Sequence, residues 1–174
     1  LTGLPGNRRI TTCIERAIRE RKNYSIIYFD LNRFKEYNDV YGFAAGDEII
    51  RLTGDLLKRY EPLLSAGGML GHVGGDDFVY ITSEPINQNE LERLCVDFDR
   101  EKRQFFHPEH LKHSSYQARD RQGNITWVPL VSLSASAVTA ESFNFPPHPA
   151  QIAKAAAMLK KQTKDDCRKL NSSS

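Results

Sequence analysis

Apolar positions along this chain follow two rhythms, and the switches between them outline the elements. After Pro5 and Asn7, the residues Ile10, Cys13, Ile14, Ala17 and Ile18 recur at helical spacing, so an amphipathic helix is expected that ends near Arg19 to Lys22. Tyr24 to Leu31 is nearly continuous in apolar and aromatic residues, the pattern of a strand buried on both faces, and it sets Asp30 at the strand's C-terminal end. Phe34, Tyr37 and Tyr41 mark a short helix that Gly42 stops. Ile49, Ile50, Thr53, Leu56, Leu57 and Tyr60 mark a second helix, entered through Gly46 and Asp47.

Met69 to Val73 and Phe78 to Thr82 read as two short strands around a Gly74-Gly75 turn, with Asp76 and Asp77 at the tip. Leu91, Leu94, Cys95 and Phe98 define a further helix running toward Phe105, and a polar hairpin follows that turns at Asp120 to Asn124. Val131, Leu133, Ala135 and Ala137 alternate with serines, the period of a half-buried strand, and a last helix is expected from about Pro149 to Arg168. This order predicts an α/β (α+β) domain of the ferredoxin-like or polymerase-palm type, a central, mostly antiparallel sheet flanked by helices, over residues 1–170 with a disordered tail at 171–174.

Composition narrows the function classes. A net charge of +2 with interspersed charges supplies no basic stripe for nucleic acid and no polybasic patch for direct membrane contact. The three cysteines, Cys13, Cys95 and Cys167, have no metal or redox spacing and read as reduced thiols of a cytoplasmic protein. No apolar run is long enough to span a bilayer, and the chain starts without Met or a signal peptide. The expectation is a module of a longer protein whose other domains could include membrane or sensory segments.

Three carboxylates, Asp30, Asp76 and Asp77, would converge if their strands are neighbours. Such a cluster repels itself unless cations neutralise it, and hard oxygen ligands beside phosphate suit Mg²⁺. Two ions held this way suit nucleotidyl transfer. An isolated Gly-Gly-Asp-Asp would be read as a tight turn and nothing more. Here it stands with Asp30, Lys35, Asn38, Asp47 and the opening Leu1-Thr2-Gly3-Leu4-Pro5.

Taken together, Leu1 to Arg9, the run Phe29-Asp30-Leu31-Asn32-Arg33-Phe34-Lys35-Glu36-Tyr37-Asn38-Asp39, Tyr41 to Asp47, Gly74-Gly75-Asp76-Asp77-Phe78 and Val131 to Val138 resemble the GGDEF family of diguanylate cyclase domains, in a GGDDF variant. The resemblance implies that Asp30, Asp76 and the backbone carbonyl of Leu31 ligate Mg²⁺ or Mn²⁺, and that Asp77 serves as further ligand or base. It implies that Asn38 and Asp47 read guanine, since a carboxylate accepts from a donor pair that adenine lacks. Phe34 and Lys35 would sit at phosphate-cradling helix-start amides, and Lys161 on the last helix would add charge to the triphosphate. It also implies GTP as substrate and a homodimer, because two domains meet face to face to make twofold-symmetric cyclic di-GMP.

Several positions depart from the family pattern. Asp77 stands where Glu is usual, His72 where Arg is usual, and the last helix offers Lys161 with Asp165, or Lys160 with Lys164, in place of a Lys and Arg four apart. Ser65-Ala66-Gly67-Gly68 stands where the family places an Arg-x-x-Asp product-inhibition motif, so feedback through that site is expected to be absent. These departures support an alternative, a catalytically weak GTP-binding module that regulates a neighbouring domain such as a cyclic di-GMP phosphodiesterase. An adenylate-polymerising palm is a third reading, against which Asn38 and Asp47 argue. His107, His110 and His113 are expected on a surface loop, and Trp127 in hairpin packing.

Overall fold

Strand residues of a two-sided sheet alternate between faces, and here that alternation decides which helix packs where. The computed structural model describes residues 1–20, 23–119 and 123–139. Helix α1 (Asn7–Arg19) leads into strand β1 (Ser25–Asn32), followed by helices α2 (Phe34–Tyr41) and α3 (Phe43–Leu64). Strands β2 (Met69–Gly74) and β3 (Asp77–Thr82) form the hairpin, and helix α4 (Gln88–Glu101) continues as a 3₁₀ turn over Lys102–Phe105. A short helix α5 (Pro108–His113), the strand pair β4 (Ser115–Arg119) and β5 (Ile125–Pro129), and strand β6 (Ser132–Thr139) complete the described elements.

The main sheet has the order β2-β3-β1-β6 and every pairing in it is antiparallel, in agreement with the sequence reading. Strand β1 is central, which is why its pattern is apolar on both sides. Ile27, Phe29 and Leu31 pack with Leu56 and Leu57 of α3 and with Leu94 and Phe98 of α4. Ile26 faces the other way, with Val79 and Ile81, onto Ile10, Ile14 and Ala17 of α1. Each such fully buried aliphatic or aromatic side chain contributes about 1.5–3 kcal/mol. No helix among the described residues is long and apolar enough to cross a membrane.

The structure corrects two local readings. Helix α3 starts at Phe43, not at Gly46, because Gly42 adopts φ 85°, ends α2 and opens α3 in a single elbow. The stretch His107 to His113 is not a loop: Pro108 occupies the first helical turn, where its missing N–H costs nothing, and α5 follows. The β4–β5 hairpin is present, but most of its expected turn and the whole of the expected last helix, with Lys160, Lys161, Lys164, Asp165 and Cys167, lie outside the described residues, as does the 171–174 tail. Trp127 contributes little packing to that hairpin: it is 62% exposed, on the same outward side as Ile125, while Tyr116 and Val128 face inward.

Candidate functional site

Antiparallel pairing of β1 with β3 runs from Ser25 opposite Thr82 to Asp30 opposite Asp77. Directly opposed residues project to the same face, with Cβ atoms roughly 4.5–5.5 Å apart. Asp30 and Asp77 are therefore immediate neighbours, on the α1 side of the sheet with Ile26 and Val79. Asp30 is 6% exposed and Asp77 half-buried. Gly74 pairs with Asp77 across the hairpin, leaving Gly75 and Asp76 as the turn corners, and both glycines take positive φ, 143° at Gly74 and 57° at Gly75.

The sequence pattern joins Asp30 first to Asp76; the register sets Asp77 directly opposite and Asp76 one position beyond, half-buried in the turn. Among the described residues no group of three or more His, Cys, Asp or Glu side chains is disposed to hold a metal ion. This donor set fits Mg²⁺ all the same, because that ion commonly takes only one or two carboxylates and completes its shell with substrate phosphate and water. Leu31, whose carbonyl was a candidate ligand, is 1% exposed and pairs with Leu133 of β6. Ser134 Oγ donates to the backbone carbonyl of Asp30 at 3.2 Å and Asn32 Nδ2 donates to Ser132 Oγ at 3.2 Å, so β6 braces the end of β1 that carries the acid.

A second group of candidates lies on the α2–α3 elbow. Arg33 precedes α2 in the left-handed region at φ 65°, a conformation that costs a non-glycine residue and turns the chain sharply off the end of β1. Phe34 then buries its ring at 9% exposure while Lys35 stays exposed in the first turn. At the other end of α2, the N–H of Gly42 donates to the carbonyl of Asn38 at 2.9 Å, and the N–H of Gly46 donates to the carbonyl of Gly42 at 3.2 Å. The elbow thus folds Asn38 onto the start of α3, where Asp47 is exposed. Asn38 Oδ1 is shut off from solvent and accepts from no group among the described residues.

His72 shows a role that its sequence position did not disclose. Its Nε2 lies 2.9 Å from the Gly75 carbonyl, which only accepts, so the ring proton sits on Nε2 and donates there. Nδ1 then accepts from the Thr2 hydroxyl at 3.1 Å, and the ring stacks on Phe78 at 4.4 Å between centroids. The N–H of His72 also donates to the Pro5 carbonyl at 2.9 Å. One residue ties the opening segment, the strand and the signature turn together.

Elsewhere the candidates resolve into structural roles. Ser65 Oγ donates to the Gly67 carbonyl at 2.7 Å and lies 2.6 Å from Tyr80 Oη, so the stretch at the family's inhibition motif is a tight, cation-free connector. His107 stacks on Tyr41, and His110 Nδ1 shares a hydrogen bond with the Tyr41 hydroxyl. Burial, with Asp99 and Glu92 nearby, pushes the Cys95 thiol up to about 11, and burial likewise raises Cys13, so neither is an activated nucleophile.

Comparison with known proteins bears on the family and the fold. Residues 1–119 match the family model described as diguanylate cyclase, GGDEF domain. Diguanylate cyclase DgcS of Shewanella oneidensis is 35% identical over 100 residues, covering 55% of this chain and 32% of that protein. Cyclic di-GMP phosphodiesterase PdeR of Escherichia coli is 32% identical over 97 residues, 55% of this chain and 14% of that protein. The chain thus spans a third or less of these relatives. Among solved structures, diguanylate cyclase SiaD of Pseudomonas aeruginosa, in complex with its activator SiaC, superposes with a TM-score of 0.63 at 19% identity, over 95% of this chain and 56% of that one, a likeness of fold. The match over residues 1–119, together with the acids at the hairpin and strand end, establishes that the chain belongs to the GGDEF domain family.

Proposed function

We infer that this domain is a diguanylate cyclase half-site, which binds one GTP with a divalent metal and condenses it with the GTP of a second copy to give cyclic di-GMP. The observation that carries the reading is the register that sets Asp30 opposite Asp77, with Asp76 at the adjoining corner. Two opposed carboxylates repel each other, and a cation shared between them and a triphosphate offsets that repulsion.

In this reading Asp30, paired with Asp77 or with Asp76, would hold the ion, which when bound would neutralise phosphate charge and the departing pyrophosphate. Asp77 accepts the proton of a 3′-hydroxyl, whose oxygen forms a bond to the α-phosphorus of the opposite GTP as the bond from that phosphorus to pyrophosphate breaks. Two such transfers close the ring and release two pyrophosphates. Asn38 and Asp47 orient the guanine, and Lys35 and Lys161 add positive charge near the phosphates. Because each site supplies the acceptor for the other, a monomer binds GTP and hardly turns over.

Asp77 favours a second reading. One methylene shorter than Glu, it places the acid about 1 Å back, a displacement that can cost on the order of a hundredfold in rate. A domain so impaired would serve as a GTP-responsive regulator of an attached domain. Incubation of concentrated protein with Mg²⁺ and either GTP or ATP, followed by chromatography, separates the readings. Cyclic di-GMP from GTP supports the cyclase; GTP binding without turnover, even in a forced dimer, supports the regulator; adenylate products contradict both.

A further inference from the structure

Gly46 lies within α3, in a backbone conformation that any residue adopts, yet glycine is among the poorest helix formers. Conformational freedom is therefore not what it supplies. A Cβ built at this position would lie 1.9 Å from Asn38 Oδ1, 2.9 Å from Asn38 Cγ and 3.2 Å from Phe34 Cζ. The first distance is far inside contact, the second is just closer than real Cβ atoms come, and the third atom belongs to a ring that is itself held in the core at 9% exposure. What Gly46 supplies is room, and the occupant of that room is the Asn38 amide.

The arrangement fixes the amide from two sides. Its backbone is tied to the elbow through the Gly42 N–H, and its Oδ1 is sealed against the Gly46 backbone with no solvent access. A planar amide with one end sealed has a defined direction for the other. Gly46 is also bonded directly to Asp47, so the backbone that carries the carboxylate lies one residue from the seat of the amide.

We propose that Gly46 is a specificity-positioning residue: by lacking a side chain it seats Asn38 beside Asp47, so that the two polar groups meet one purine edge as a fixed pair. This rests on the guanine-reading role inferred above for Asn38 and Asp47. Any side chain at position 46 expels the Asn38 amide from its seat, and the loss falls on base discrimination, not on metal or phosphate binding.

The test is a double-mutant cycle of Gly46→Ala and Asn38→Ala, read as GTP and ATP affinities in the presence of Mg²⁺. Gly46→Ala is expected to weaken GTP binding about tenfold or more, the effect of losing a buried hydrogen bond, and to leave ATP binding nearly unchanged. In the Asn38→Ala background the same substitution should add nothing. A Gly46→Ala protein that keeps the wild-type ratio of GTP to ATP affinity overturns the proposal, as does additivity in the cycle. A wild-type protein without preference for GTP removes the guanine reading itself, and the proposal with it. A readout independent of nucleotide accompanies these: the Asn38 side-chain NH₂ resonances of the apo protein should shift strongly in Gly46→Ala, and unshifted resonances contradict the seat. Should Gly46→Ala unfold, refolding on addition of Asn38→Ala supports the clash, and failure to refold overturns it.

Discussion

Asp30 and Asp77 stand directly opposite each other on neighbouring antiparallel strands, the last pair in a register that begins at Ser25 and Thr82. If the two acids share the ion, Asp77→Asn should abolish the extra stability conferred by Mg²⁺ with GTP. Thermal melts with and without Mg²⁺ and GTP measure the effect, and an Asp77→Asn protein that Mg²⁺ and GTP still stabilise in full argues against the acid pair as the ion's seat.

His72 holds the signature turn through Gly75 and the opening segment through Thr2. His72→Phe keeps the stack on Phe78 and loses both side-chain hydrogen bonds, so it should cost about 1–2 kcal/mol in urea unfolding with an unchanged slope. Amide exchange at Gly75 and Asp76 should quicken in the same variant. Unchanged stability and exchange would mean that the turn holds itself.

Tyr116 is fully buried, and its hydroxyl has no hydrogen-bond partner among the described residues. Removing a buried hydroxyl that makes no bond removes a desolvation cost, so Tyr116→Phe should stabilise the fold by about 1 kcal/mol. The urea midpoint should rise. A fall of that size would show that the hydroxyl is bonded within the folded protein.

Tyr37, on the neighbouring helix α2, behaves differently because its hydroxyl donates to the Phe105 carbonyl at 3.0 Å. Burial, with Tyr41 beside it, pushes its phenol up to about 12. A group raised in the folded state contributes stability in full below its ordinary value near 10 and loses it as pH climbs toward 12. Stability should hold to about pH 10, then fall across that window, and the fall should be shallower in Tyr37→Phe.

Much of this is legible in the residues. The central strand declares itself because Tyr24 to Leu31 is apolar on both faces, and the hairpin declares itself through Gly74 and Gly75. The register does not: a slip of one position would exchange Asp77 for Asp76 opposite Asp30, and both residues carry the same chemistry in the sequence. Helix α3 begins earlier than its pattern indicates because Phe43 is 80% exposed, so the apolar rhythm that marks the helix sets in only after its first turn. His107 to His113 resembles a loop in sequence because a proline inside a helix interrupts it, whereas Pro108 stands at the first turn and opens one. Close approaches such as Gly46 against Asn38 leave no periodic trace, since they depend on how two helices meet.

Central to the proposed function is a cation seat, formed by the carboxylates at the ends of β1 and β3, through which a metal ion joins GTP to the domain. The most direct measurement is GTP affinity with Mn²⁺ or with EDTA, in the wild-type protein and in Asp30→Asn. Mn²⁺ is expected to strengthen binding at least tenfold in the wild type and hardly at all in Asp30→Asn, the cost of removing one charge-assisted interaction. GTP that binds equally well in EDTA, or Mn²⁺ enhancement that survives Asp30→Asn, would contradict the cation seat.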